Sequence, residues 1–437
     1  MELREIEQFN DWWTSGRVKS SLLKPYKRPL FNEILKYIGD RQILLVYGLR
    51  RVGKTTLFYQ LIQYLLDEGV APGDILYFSF DVAKAGIGDL LRTYEQEKLR
   101  RNFDTAGRIY IFLDEIHKAE NWQNELKIFY DLYPNLKFFI CGSASINIQK
   151  RAKESLAGRM YDFKLNTLSF KEFVKLKGVE VRFDEWEIYE RQVLPLFHDY
   201  LLKGGFPEIT WEEDEEKITK YLRNNVIERI IYIDLPAEFG IKDMELLKTL
   251  VELVARNPGL RLNYDALSRD LDRSKPTIIN YIAYLEYALM LKLVHNLRPG
   301  FMATSRKLRR AYAGNVAFSC MFMFAEKDPG KVVENLVLQE LDARYYFRNK
   351  SVEIDFILKN GNGKIVPIEV KYGKVEPELK QFIRALDKIG LDYGIVVTRD
   401  VYREAKINGK QILMIPVWAF LLFKHEFLER YAAKIFK

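Results

Sequence analysis

The chain is poor in sulfur and imidazole, with only two cysteines (Cys141 and Cys320) and four histidines in 437 residues. Two thiols are too few for a disulfide framework or a cysteine-rich zinc site. Both lie in apolar runs, the usual setting of buried thiols in a reducing compartment. The histidines are scattered, without metal-ligand spacing. Long apolar runs are also missing. The longest, Ala311 to Ala325, is interrupted by Gly314, Asn315 and Ser319 and falls short of the ~20 apolar residues needed to cross a bilayer. The opening Met1-Glu-Leu-Arg-Glu-Ile-Glu7 is charged and has no secretory core. These absences predict a cytoplasmic protein with no membrane partner. No internal repeat or low-complexity tract stands out.

The residues that are present suit packed cores. Hydrophobic residues make up 48 % and aromatics 14 %, which excludes a disordered chain. The length suggests about two to four domains at roughly 100–200 residues each. The net charge of +8 permits a polyanionic partner without requiring one.

The most informative segment runs from Arg41 to Thr56. An apolar strand, Ile43 to Tyr47, enters G-x-x-x-x-G-K-T, and a helix with Leu57, Leu61, Ile62 and Leu65 in apolar register follows. Gly48 and Gly53 let the backbone curl so that its N–H groups converge on phosphate oxygens, where the helix N-terminus adds its dipole. The nucleotide-binding set is Gly48, Arg50, Arg51, Val52, Gly53, Lys54, Thr55 and Thr56. Lys54 reaches the β- and γ-phosphates, and the Thr55 hydroxyl ligates magnesium. ATP and Mg are the cofactors predicted.

Short apolar strands (Ile43–Tyr47, Ile75–Phe80, Ile109–Leu113, Phe138–Cys141) then alternate with helices, the pattern of a parallel sheet covered on both faces. The third strand ends in Asp114 and Glu115. Asp114 is placed to hold magnesium through its water shell, and Glu115 to orient or deprotonate the attacking water. The alternative, that the pair only caps the next helix, is disfavoured by its place at the carboxyl end of a buried strand downstream of a P-loop. The next strand runs into Ser143, a candidate γ-phosphate sensor. Arg159, after Gly158, is a candidate for stabilising transition-state charge. Trp12 and Trp13 are expected to pack onto this core.

Residues 168–233 read as mostly helical, and Ala237 to about Pro299 as compact and all-helical. Within the latter, a short helix and a tight turn precede Ser274-Lys-Pro-Thr277, a capped helix start with proline in the first turn. This is a helix-turn-helix arrangement. Ile278, Ile279 and Ile282 are expected to face inward, leaving Lys275, Thr277, Asn280 and Tyr281 for a partner. A helix over Leu285–Val294 and the segment to Pro299 would supply a wing, with Arg298, Arg306, Lys307, Arg309 and Arg310 as a basic cluster for DNA phosphates. A winged helix can equally serve as a protein-interaction module.

Near the C-terminus, Asp355 lies in one strand and Glu369 and Lys371 in the next, joined through Asn360-Gly-Asn-Gly363. Glu369 and Lys371 share a face, being two apart on a strand. Asp355 joins them only if the connecting loop has three or five residues; a four-residue loop aims it away. Upstream, a helix offers Glu334 or Glu340. The set resembles the restriction-endonuclease-like PD-(D/E)xK pattern, in which carboxylates hold magnesium and the lysine orients water or phosphate. Asp355, Glu369 and Lys371 are the candidate catalytic residues, with Glu334, Asp355 and Glu369 as metal ligands; Gln381 stands where some members place a polar helper.

The order GLRRVGKTT, FLDEIHK, CGSAS, ESLAGRMYDFKLNTLSFKEF and LLKGGFPEI resembles a prokaryotic AAA+ family, most familiar in archaea, across nearly the whole chain. The resemblance implies that LSFKEF opens a helical lid containing Gly204-Gly-Phe-Pro207, and that Arg159 is a nucleotide-sensing or trans-acting arginine. It supports the winged-helix fold more than DNA contact. Asn315 stands where relatives usually carry an aspartate.

The fold expected is therefore α/β: a P-loop AAA+ core with a helical lid, then a winged-helix domain and an α+β restriction-endonuclease-like domain. The boundaries expected are 1–167, 168–235, 236–325 and 326–437. The leading function is an ATPase coupling its nucleotide state to DNA engagement, with or without metal-dependent cleavage by the last domain. The alternative is a signalling-type regulatory ATPase with a protein-interaction winged helix and an inactive nuclease-like domain. A small-molecule kinase has no use for the C-terminal half. A homo-oligomer or a protein partner is compatible with either leading reading.

Overall fold

The computed structural model describes residues 1–81, 85–142, 156–297, 309–323, 329–359, 365–373 and 378–435. The chain forms two compact units, Met1–Thr167 and Leu168–Lys437. No helix among the described residues is long and apolar enough to cross a membrane.

In the first unit, strand β1 (Ile43–Tyr47) leads into helix α1 (Lys54–Asp67), followed by β2 (Ile75–Ser79), β3 (Ile109–Asp114), helix α2 (Trp122–Leu132), β4 (Leu136–Gly142) and β5 (Met160–Lys164). All strands are parallel, in the order β2-β3-β4-β1-β5. The central strands are buried except at Tyr47 and Tyr110, which is why their sequences are nearly continuous apolar runs. Strand β5 is not anticipated by the sequence pattern because it lies at the sheet edge. Its Met-Tyr-Asp-Phe-Lys sequence is largely solvated and carries no apolar run.

The opposite edge, β2, is sealed by the N-terminal segment. Asn10 mimics a neighbouring strand: Tyr77 N–H donates to its Oδ1 (2.7 Å) and its Nδ2 donates to Tyr77 O (2.8 Å). The indoles of Trp12 and Trp13 both donate to Ile75 O, at 3.1 and 2.8 Å. Unpaired edge groups that would otherwise template another strand are thus satisfied.

The second unit begins with helices α3 (Phe170–Leu176), α4 (Glu190–Lys203), α5 (Met244–Arg256), then β6 (Leu260–Arg261), α6 (Tyr264–Asp270), α7 (Lys275–Tyr287), β7 (Leu291–Asn296) and β8 (Arg310–Ala313). It continues through α8 (Val316–Met323), α9 (Pro329–Leu341), β9 (Tyr345–Asn349), β10 (Val352–Lys359), β11 (Ile365–Lys371), α10 (Lys380–Ile389), β12 (Tyr393–Thr398), β13 (Arg403–Ile407), β14 (Lys410–Pro416) and α11 (Val417–Ile435). One nine-stranded sheet runs β13-β14-β12-β11-β10-β9-β7-β8-β6. A parallel pairing of β7 with β9, His295 opposite Tyr345, joins its two halves.

The segment expected to be all-helical therefore contains strands. Helix α7 stops at Tyr287, Leu289 turns with φ +58°, and Leu291–Asn296 is a strand rather than the end of a helix. It is buried at Leu291, Leu293, Val294 and Asn296, a pattern that a short run of Leu and Val does not distinguish from a helix. Helices α3 and α4 share their core with β8, α9, the central strands and α11.

The Gly204-Gly205 corner explains its own sequence. Both residues have positive φ (+58° and +74°). A Cβ on Gly205 would lie 2.1 Å from Leu168 O, and one on Gly204 would lie 1.9 Å from Asn315 Oδ1. Leu168 N–H donates to Gly205 O (2.8 Å), and Asn315 Nδ2 donates to Gly204 O (2.8 Å). Asn315 also accepts from Ala317 N–H (2.9 Å) at the start of α8. Its amide supplies the donor that a carboxylate in this position lacks.

Asn10→Ala strands the buried Tyr77 N–H. The expected loss of stability is about 1–3 kcal/mol, read as a lower urea midpoint for the first unit with unchanged far-UV dichroism. An unchanged midpoint would show that sealing of the β2 edge contributes nothing.

Candidate functional site

The first site lies at the carboxyl ends of the parallel strands. Gly48 leaves β1 under Leu165, whose carbonyl oxygen is 2.1 Å from where a Cβ would stand. Arg51 and Gly53 hold positive φ (+65° and +100°), curling the loop into the first turn of α1. Arg50 is half-buried, Val52 is buried, and Thr56 lies in that first turn. The Lys54 ammonium is buried and donates to Gly48 O (3.2 Å) and Leu49 O (2.9 Å), so it is held inside the curl of the loop.

Asp114 converges on the same place. Thr55 Oγ1 donates to its Oδ2 at 2.6 Å, as does Tyr77 OH at 3.0 Å. Its Oδ1 accepts from Cys141 Sγ (2.7 Å) and Glu115 N–H (2.9 Å). Tyr77 lies in no motif of the sequence, and Cys141 opens CGSAS without being marked there as a site residue. Strand register brings them there, since Ser79 pairs with Asp114, and Tyr77, two residues earlier, shares its face. Burial first, then Asp114's charge, pushes the Tyr77 hydroxyl and the Cys141 thiol well above their ordinary pKa values. Both therefore remain protonated donors at neutral pH. Glu115 takes a left-handed conformation (φ +50°), an uncommon state for a non-glycine residue, and its Oε2 lies 3.4 Å from His117 Nδ1.

Arg159 is not beside this site within one chain. Its carbonyl accepts from Ile43 N–H (2.9 Å), at the amino edge of β1, whereas the phosphate loop leaves the carboxyl edge. Four residue steps of strand separate those edges, roughly 13 Å at 3.3 Å per residue. Its guanidinium forms a two-point pair with Asp131, Nε to Oδ1 at 2.9 Å and Nη2 to Oδ2 at 3.1 Å. A nucleotide-sensing role in cis is therefore corrected. Ser143 lies outside the described residues.

On α7, Ser274 caps the helix by accepting from Thr277 N–H (3.3 Å), and its hydroxyl bonds Thr277 Oγ1 (2.8 Å). Lys275 Nζ pairs with Asp265 (2.8 Å), both exposed, and Asn280 is exposed. Ile278 and Ile282 are buried as expected, but Ile279 is exposed (41 %) and belongs to the outer face. Arg309 is half-buried, while Arg306 and Lys307 lie outside the described residues.

Arg310 requires the largest correction. It is buried in β8 and does not belong to a surface cluster for phosphates. Its Nη1 reaches Asp355 Oδ1 (3.2 Å), Glu334 Oε1 (3.3 Å) and Tyr312 OH (3.2 Å), and its Nη2 pairs with Glu353 Oε1 (2.5 Å). Burial opposes its charge, but Tyr312, Asp355, Glu334 and Glu353 together outweigh burial and hold its pKa above the ordinary arginine value.

Arg310 sits among the D…E-x-K residues. Lys359 pairs with Ile365 across β10 and β11, leaving a five-residue connection and placing Asp355 opposite Glu369 on one face. The Asn360–Gly363 turn itself lies outside the described residues. The register of β10 against β9 shifts between Ile354 and Ile357, around Asp355, as bulges do beside functional positions. Lys371 Nζ is 2.8 Å from Glu369 Oε1. Burial, then Asp355's charge, raises Glu369 to about 8 and lifts Glu334 as well. Of the two helical candidates, Glu334 meets this cluster. Glu340 instead accepts from Phe170 N–H (2.9 Å) and Tyr200 OH (3.0 Å) and pairs with Lys424 (3.2 Å).

The expected magnesium does not fit this arrangement. Each carboxylate oxygen of the three candidate ligands already has a protein donor. Glu334 Oε1 has Tyr312 OH (2.6 Å) and Arg310, and its Oε2 has Lys331 (2.6 Å). Asp355 Oδ1 has Arg310, and its Oδ2 has Val370 N–H (3.0 Å). Glu369 Oε1 has Lys371, and its Oε2 has Asp355 N–H (3.2 Å). Among the described residues, no group of three or more His, Cys, Asp or Glu side chains is arranged to hold a metal ion.

Comparison with known proteins follows the two units. Residues 40–174 match the sequence profile of an AAA domain. Residues 194–328 and 329–420 match two domains of unknown function, DUF8612 and DUF4143. An uncharacterised protein of Methanocaldococcus jannaschii is 26 % identical, the alignment covering 89 % of this chain and 90 % of that protein. An uncharacterised protein of Haemophilus influenzae is 27 % identical over 88 % of this chain and 96 % of its own length. Among solved structures, the ADP form of Aeropyrum pernix ORC2 aligns with TM-score 0.36 and 10 % identity, covering 68 % of this chain and 92 % of that one. AMPPCP-bound DnaA of Aquifex aeolicus aligns with TM-score 0.27 and 16 % identity, covering 59 % and 86 %. Scores this low assign neither fold nor function. With its all-parallel β2-β3-β4-β1-β5 sheet and P-loop, the first unit is similar, over residues 40–174, to an AAA domain.

Proposed function

We propose that the first unit binds and hydrolyses ATP with magnesium, and that the second unit engages DNA through α7 and the basic segment after β7. The observation that carries the ATPase reading is the 2.6 Å contact of Thr55 Oγ1 with Asp114, beside the buried Lys54. A hydroxyl and a carboxylate held together at the mouth of a phosphate loop are the donor set that suits a magnesium ion keeping several waters. Bound there, the ion would draw charge from the β- and γ-phosphates. Lys54 leaves the loop carbonyls for phosphate oxygen, and the loop N–H groups and α1 dipole hold the remaining negative charge. Glu115, at the end of β3, orients the attacking water and takes its proton. Arg159, at the far strand edge, suits action on the nucleotide of a neighbouring copy, which supports a homo-oligomer.

The DNA reading is supported by the element order α5-β6-α6-α7-β7-β8 and the antiparallel β7-β8-β6 pairing, the topology of a winged helix. Helix α7 presents Lys275, Asn280 and the half-exposed Thr277. The α9-β9-β10-β11-α10-β12 order, with antiparallel hairpins and a parallel β11–β12 crossover, supports a restriction-endonuclease-like fold. One observation favours a regulatory ATPase whose nuclease-like domain is inactive. Arg310 already neutralises the carboxylates that cleavage would need.

Lys54→Ala is expected to abolish ATP binding in a fluorescent-nucleotide titration. Glu115→Gln should bind ATP as wild type does but hydrolyse it about 10²–10⁴-fold more slowly; wild-type turnover would remove Glu115 from the mechanism.

Replacing Lys275, Asn280, Arg306 and Lys307 together with alanine should weaken duplex binding for every sequence tested. The log–log salt slope should fall by about 0.9 for each DNA phosphate no longer neutralised. Unchanged affinity would move this domain to the protein-interaction reading.

A further inference from the structure

We infer that Arg310 is the resident cation of the Glu334–Asp355–Glu369 cluster, and that a divalent ion enters only by displacing its guanidinium. The inference goes beyond the proposed function, and it rests on where the oxygens already point. All six carboxylate oxygens have protein donors, and Arg310 Nη1 is the group shared by Glu334 of α9 and Asp355 of β10. A divalent ion bridging α9 and β10 would have to stand where that nitrogen stands. Magnesium needs ligand oxygens at about 2.0–2.1 Å, whereas the 3.2–3.3 Å contacts at Nη1 are guanidinium contacts.

The remaining neighbours hold the two Nη groups of a guanidinium, while its Nε is buried without a hydrogen-bond partner among the described residues. Tyr312, two residues along β8 on the same face, gives its hydroxyl to Glu334 and accepts from Arg310. Glu353, two residues before Asp355 on β10, holds Nη2 from the other side. The Tyr346 ring lies under the guanidinium with its centroid at 4.9 Å, a stacking surface that favours a flat, weakly hydrated cation. Neither Glu353 nor the ring serves a metal in the D…E-x-K pattern, and both make sense as the seat of Arg310. A buried charge deprived of one partner is strongly destabilising, so the ion pair and a metal ion are alternatives.

The test is manganese binding by the full chain without nucleotide, followed by electron paramagnetic resonance of free Mn²⁺. Wild type, Arg310→Gln, Asp355→Asn and the Arg310→Gln/Asp355→Asn double variant are compared, so that binding elsewhere is subtracted. Arg310→Gln is expected to gain a site at least about tenfold tighter than any Asp355-dependent site of wild type. That site should be lost in the double variant, and Mn²⁺ should raise the Tm of Arg310→Gln but not of wild type. Should Arg310→Gln not fold, Glu353→Gln loosens the guanidinium while sparing the three carboxylates, and a smaller Asp355-dependent gain is expected. The inference is overturned by an Asp355-dependent site in wild type that is as tight as in Arg310→Gln. It is overturned equally if no gain appears in whichever of the two variants folds. ATP hydrolysis is not read, so either result leaves the ATPase reading standing.

Discussion

A carboxylate taken out of water must be compensated by hydrogen bonds or by opposite charge, and the two units meet this constraint in opposite ways. Asp114 is held by uncharged donors: a threonine hydroxyl, a tyrosine hydroxyl, a thiol and a backbone N–H. These hold the group in place without cancelling its charge. Around Glu334, Asp355 and Glu369 the donors include Arg310, Lys331 and Lys371, which cancel the charge within the protein. Buried acidic residues in the two units are thus prepared for different chemistry by the charge of their neighbours.

Strand direction decides which residues can cooperate. In a parallel sheet all carboxyl edges face one way, so residues just after strands gather there and residues just before strands gather at the other side. Asp114 ends β3 and Gly48 follows β1, so both reach the phosphate loop; Arg159 precedes β5 and does not. In the second unit, the Gly204-Gly205 corner works by close approach. Only glycine leaves room for Leu168 O and Asn315 Oδ1 at the distances observed.

Several features are legible in the sequence because a single short segment carries them. The P-loop, the carboxylate pair at the end of β3, the capped start of α7 and the shared face of Glu369 and Lys371 all follow from local spacing. The register of β10 on β11 is legible only as alternatives of loop parity, and the five-residue connection selects the one that aligns Asp355 with Glu369. Local reading fails where burial depends on distant partners. Ile279 is apolar yet exposed, Leu291–Asn296 pairs as a strand with β8 and β9, and the polar-looking β5 completes a sheet edge.

The sequence by itself determined that the chain carries a phosphate loop with its acidic partner strand, since the loop curl, the lysine and the helix start are bonded neighbours. It also determined which acidic and basic residues were present near the C-terminus. Only the tertiary structure decided what those residues do. Arg310 is 24 residues from Glu334 and 45 from Asp355 along the chain, and in sequence it reads as one more member of a surface basic run. Strand β8 pairs into the sheet and turns that side chain inward. Once inside, the guanidinium has no water to solvate it, and the buried carboxylates become its partners.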